Sequence, residues 1–170
     1  MAQASKRGEA AVSFGERLAA SPSFDGLFRE GMDLIERTAA YLDGPGRAER
    51  STLDRAGSHA FADHSLRLTA RLMQLASWLL LQRAVNEGEM TAAEAVREKA
   101  KVDLGRAEPL DEDEAGRLPS RLADLVTAAR ALQQRVLNLD AALDWNGAPL
   151  REANPVMRQL GRLRGAFEGG

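Results

Sequence analysis

Apolar residues in this chain recur at every third or fourth position, the spacing that lines side chains up along one side of an α-helix. The longest such run lies between Phe61 and Glu89, with no proline and no glycine before Gly88. It carries two adjacent stripes. One is Phe61, Leu68, Leu72, Leu75 and Leu79; the other is Leu66, Ala70, Met73, Ser77, Leu80 and Ala84. Trp78, Leu81 and Val85 then make the C-terminal half apolar on most sides. A helix of that kind must be covered from several directions, so the pattern predicts packing against other helices, including those of a second copy of the chain. The helix is expected to begin between Arg47 and Ser58 and to end near Gly88, spanning about 55 Å at ~1.5 Å per residue. Its most apolar part, Leu72 to Val85, contains Gln74, Gln82 and Arg83 and falls short of the roughly 20 apolar residues a membrane span needs.

Two further segments carry the same signature. Phe24, Leu27, Phe28, Gly31, Leu34, Ile35, Thr38, Tyr41 and Leu42 predict an amphipathic helix after Ser21-Pro22-Ser23, with a serine hydroxyl as its cap. Asp43-Gly44-Pro45-Gly46 predicts the turn that ends it. Leu118, Leu122, Leu125, Ala129, Leu132, Val136, Leu139 and Leu143 alternate steps of four and three, a coiled-coil-like seam that Asn146-Gly147 and Pro149 close. Between the long helices, Thr91 three residues before Glu94 predicts a capping box opening a thinner helix, Thr91 to Leu104. The acidic stretch Gly105 to Gly116 reads as a solvated loop, with docking of a basic partner as its other use. The expected fold is all-α: a three-helix bundle of long helices, a shorter peripheral helix and a mobile C-terminal tail. Residues 1–9 are expected to be a flexible N-terminus, 10–145 the bundle domain (opening with a short helix over Ala10–Ala20), and 146–170 a flexible tail.

Composition narrows the function. The 170 residues carry 23 basic and 25 acidic side chains, a net charge of −2, so no bulk positive field draws the chain to nucleic acid. Cysteine is absent, which removes disulfides, thiolate metal sites and cysteine nucleophiles and fits a reducing cytoplasm. The N-terminal MAQASKRGEAAVSF has no apolar run of the kind a secretory signal requires.

Candidate chemistry is sparse. His59 and Asp63 stand one turn apart, with His64 beside them, and could share an ion; nothing elsewhere supplies the remaining ligands, so all three read as surface or capping residues. Asp144-Trp145-Asn146-Gly147 resembles part of a calcium loop, but alanines (Ala142 and Ala153) occupy its first and closing positions. Glu87 and Glu89 flank a helix-ending glycine, and Ser65 and Ser77 have no base at a useful spacing. No catalytic residue, cofactor or metal is expected. The candidate contact residues are instead Trp78, Leu81 and Val85 on the wide apolar belt, and Arg158, Arg162 and Arg164 in the tail.

The segments Gly26 to Arg47, Leu66 to Met90 and Leu118 to Val126 closely resemble the RcdA-like family, named for regulation of CtrA degradation. The resemblance runs from about Phe14 to Leu143, and its most specific part is the LTxRLMQLASWLLxQRAVNEGE run. It implies a small α-helical bundle that forms homodimers and catalyses nothing itself. It further implies an adaptor that helps deliver cell-cycle regulators to the ClpXP protease, with ClpX, partner adaptors and cargo proteins as its contacts. The competing expectation is a dimeric helical scaffold or regulatory module unrelated to proteolysis.

Overall fold

The computed structural model describes Ala19 and residues 21–143, which contain six helices and no strand. They are α1 (Pro22–Asp43), α2 (Pro45–Ser51), α3 (Arg55–Asn86), α4 (Ala92–Lys99), α5 (Glu112–Arg117) and α6 (Ser120–Ala142). The three long helices, α1, α3 and α6, form the bundle. α1 runs antiparallel to both others: Tyr41 near its end sets its ring, tilted, 6.4 Å from that of Phe61 near the start of α3, and Glu30 nearer its beginning pairs with Arg135 late in α6. α3 and α6 therefore point the same way, and Trp78 late in α3 donates to Asp140 at the end of α6. Parallel neighbours cannot be joined by a tight turn, so residues 87–119 carry the chain back as a long crossover.

The seam read along α6 is wholly internal: all eight of its positions, Leu118 through Leu143, are buried. So are Phe61, Leu68, Leu72, Leu75 and Leu79 of α3, which makes the first of that helix's two stripes the core stripe. α1 contributes Phe24, Leu27, Gly31, Leu34, Thr38 and Tyr41, at steps of three and four. Gly31 lets α1 and α3 approach closely, since a Cβ there would stand 2.6 Å from Leu79 Cδ1.

Three local expectations are revised. The long helix starts and ends within its expected bounds but is 32 residues, about 48 Å rather than about 55 Å, because Pro45 opens the separate α2 and the Asp54 carboxylate then caps α3 by accepting from the Gly57 amide at 2.7 Å. The Gly-Pro-Gly stretch ends α1 as expected and makes the corner to α2. The capping box at Thr91 forms, with Glu94 N–H to Thr91 Oγ1 at 3.2 Å and Thr91 N–H to Glu94 Oε2 at 2.9 Å. However, α4 ends at Lys99 rather than Leu104. From Val102 to Leu110 the chain is an irregular strap, tied down where Asp103 N–H donates to Gln74 of α3 at 3.0 Å and Leu104 C=O accepts from Gln133 of α6. Those side chains satisfy backbone groups that a longer α4 would have satisfied internally. Finally, the acidic stretch is partly helical. Asp111 caps α5 by accepting from Glu114 N–H at 2.7 Å, and three carboxylates in the first turn suit the positive end of the helix dipole. The short helix expected over Ala10–Ala20 (Ala19 apart) and the tail 146–170 lie outside the described residues.

The close approach at Gly31 can be tested against an open glycine on the same helix. Gly31→Val should lower stability by about 2–3 kcal/mol, since overpacking a filled core costs on that order. Gly26→Ala, where a Cβ meets nothing within 4 Å, should instead raise it by ~0.5–1 kcal/mol through helix propensity alone. Urea denaturation of the two variants measures both.

Candidate interaction surface

The residues proposed as an exposed apolar anchor do not lie together on the surface. Trp78 is 1% exposed and belongs to the core, while Leu81 and Val85 are half-buried. Trp78 cannot therefore be an outward anchor on this chain. It faces inward because its indole N–H has a partner across the bundle, the half-buried Asp140 carboxylate 2.7 Å away on α6, and because Lys99 of α4 sets its ammonium 4.1 Å from the ring centre. Arg158, Arg162 and Arg164 lie outside the described residues.

What α3 shows to solvent is its second stripe. Leu66, Met73 and Leu80 are 72%, 66% and 52% exposed, the exposed large hydrophobics among the described residues. Ala70 and Ser77 lie exposed between them, and Ser77 turns its hydroxyl back to the Met73 carbonyl at 2.9 Å, leaving the face without an outward donor at that position. The stripe from Leu66 to Leu80 is ~21 Å long. Beside it, between α1 and α3, is a hollow of about 170 Å³ with almost wholly apolar walls, lined by Ile35, Ala39, Leu42 and Met73 among others. Ion pairs frame the stripe along α3: Arg67 with Asp63 at 3.1 Å and Arg83 with Glu87 at 2.8 Å. An apolar strip inside a charged rim has the composition of a protein contact surface. Sequence periodicity found this stripe; nothing in it distinguished the stripe from its buried neighbour.

The histidine cluster also differs from its sequence reading. His59 is exposed and Asp63 is engaged by Arg67, but His64 is buried, with Glu114 of α5 4.0 Å from its Nε2. Together with Arg117 they line a hollow of about 330 Å³. Among the described residues, no three His, Cys, Asp or Glu side chains are placed to hold a metal ion. No helix of the described residues is long and apolar enough to cross a membrane.

A polar knot closes the far end of the bundle. Lys99 donates to Gln82 at 3.2 Å and lies 3.8 Å from Asp140; Gln82 donates to Asn86 at 2.8 Å; and Asn86 donates to the Ala19 carbonyl. Burial pushes the Lys99 ammonium down to about 7, although the Asp140 carboxylate works in the opposite direction. Tyr41, at the other end, is pushed up by burial and by donating to Glu49 at 2.6 Å.

The family described as "Protein of unknown function (DUF1465)" matches residues 15–167. The chain is also similar to RcdA from Caulobacter crescentus, known from its crystal structure, at 44% sequence identity and a TM-score of 0.55, over 71% of this chain and 89% of that one. No curated protein matches it.

The perturbed lysine makes stability depend on pH. Unfolded, Lys99 has the ordinary value of 10.5; folded, about 7. Between those values the unfolded chain binds the extra proton, so stability rises with pH across the window, by at most ~1.4 kcal/mol per pH unit. Urea midpoints measured at several pH values from about 7 to 9 should climb in the wild-type protein. Lys99→Met should flatten that climb; equal slopes in the two proteins would show that Lys99 does not cause it.

Proposed function

Because the chain belongs to the DUF1465 family and is an RcdA-like protein, we propose that it is a non-enzymatic adaptor in regulated proteolysis, working in the cytoplasm. In this reading it helps bring cell-cycle regulators to the ClpXP protease, through contacts with ClpX, with partner adaptors and with cargo. The observation that carries the reading is the outward stripe Leu66–Met73–Leu80, an apolar contact surface exposed along α3. An adaptor needs only to raise the local concentration of its cargo, to about millimolar in a tethered complex, so modest contacts suffice.

The stripe's occupant is a second copy of the chain. Its steps of four and three are those of a coiled-coil seam, so two such helices related by a two-fold axis bury Leu66, Met73 and Leu80 against each other. The adjacent hollow beside Ile35 and Leu42 accepts a side chain from the mate. Dimerisation leaves the acidic α5 and the crossover available to other partners.

Two experiments test this. Met73→Glu should convert a dimer to a monomer in sedimentation or light scattering, with helix content unchanged because Met73 touches solvent in the single chain. Trp78→Glu, which buries a charge, should unfold the protein instead. In a reconstituted degradation assay with ClpXP and cargo, adding the protein should speed cargo turnover, and Met73→Glu should reduce that gain several-fold. A dimer that neither binds ClpX or a partner adaptor nor changes turnover would overturn the adaptor role and leave a helical scaffold.

A further inference from the structure

The crossover descends the groove between the parallel helices α3 and α6 level by level. Lys99 meets Trp78 and Asp140, Asp103 meets Gln74, Leu104 meets Gln133, and Glu114 reaches His64. One turn below Gln74 and Gln133 stand Arg71 and Arg130, and there the matching of charges stops. Nε and Nη1 of Arg130 are buried with no hydrogen-bond partner, and so is Oε1 of Gln133, one turn above on the same helix. Arg71 is held below its ordinary value by burial first, then by the neighbouring charges of Arg130 and Arg67, so the influences resolved on it all disfavour its charge. Arg67 is already paired with Asp63. Both Arg71 and Arg130 remain partly open to solvent.

Buried charges in native proteins are paired, and a guanidinium cannot escape by losing its proton. An unmatched pair of them suits an anion, whose oxygens accept charge-assisted hydrogen bonds from guanidinium N–H groups. We infer that Arg71 and Arg130 form a binding site for a single oxyanion, a carboxylate or a phosphate, in the groove between α3 and α6. The site is independent of the apolar stripe. Arg130 gives its unpaired Nε and Nη1 donors, Arg71 the second positive charge, and Gln133 Oε1 accepts from a donor on the ligand, such as a backbone N–H beside a carboxylate or the hydroxyl of a hydrogen phosphate. Lys99 is the contrast within the same groove, since Asp140 and the Trp78 ring already answer its charge.

The test uses the ¹⁵N-labelled full chain and follows the side-chain Nε–H signals of its arginines, assigned with Arg71→Lys and Arg130→Lys. Sodium phosphate and an acetylated diglutamate peptide are titrated separately against sodium chloride of equal ionic strength. Saturable shifts of the Arg71 and Arg130 signals are expected, beyond those in chloride, together with a rise in melting temperature of about 4 °C at tenfold excess over Kd. Response to phosphate alone assigns the site to a free phosphate compound, response to the peptide alone to an acidic polypeptide, and response to both to the oxyanion itself. Arg130→Met, which removes the unmatched charge, should melt higher than wild type in chloride and lose the anion-dependent part of the shift. Arg71→Gln, a milder change, should weaken anion binding at least fivefold. Arginine signals that move no more than in chloride would overturn the site, as would an Arg130→Met protein that keeps the full anion response.

Discussion

A 32-residue helix that is apolar on two sides cannot be satisfied by two neighbours, and the rest of this molecule is arranged around that shortfall. α1 and α6 close on the stripe running from Phe61 to Leu79, which is buried along its whole length. α4 and the strap cover the flank that carries Trp78. Nothing in the chain's described residues is left to cover Leu66, Met73 and Leu80. At about 25 cal/mol per Å² of apolar surface, three large side chains in water forgo several kcal/mol, a deficit that association can recover.

The same arrangement explains why the fold contains buried polar groups. Making α3 and α6 parallel forces a long return path, and a path with little regular structure brings backbone groups that need partners. Gln74 and Gln133 supply them at mid-groove; Lys99, Gln82, Asp140 and the indole of Trp78 form a mutually satisfied knot at the end. Lower in the groove the accounting is incomplete, at Arg130, and incompleteness in a native interior is informative because the great majority of such groups are satisfied.

Both features point to a protein that acts through its surfaces. The functional reading accordingly draws on kinship with RcdA as well as on geometry, since a helical bundle by itself supports many roles. The geometry adds a division of labour. In the proposed reading one face of α3 serves a second copy, and the groove on another side, under the crossover, is where charge remains to be matched.

Much of this was legible along the chain. The α6 seam and the inner face of α1 follow from steps of three and four alone, and the Thr91–Glu94 box forms as its spacing implies, because these depend on residues within one or two turns of each other. The early end of α4 was not legible, since it rests on Gln74 and Gln133, 29 positions away, reaching backbone groups of the strap. Trp78 shows the limit most clearly. Periodicity placed it on a wide apolar belt, yet its direction was settled by Asp140, 62 positions further on, and by a lysine from the returning crossover. Local repetition thus established that α3 has two greasy sides; which of them faces inward depended on where distant helices came to rest, a long-range packing choice to which spacing within a single helix is blind.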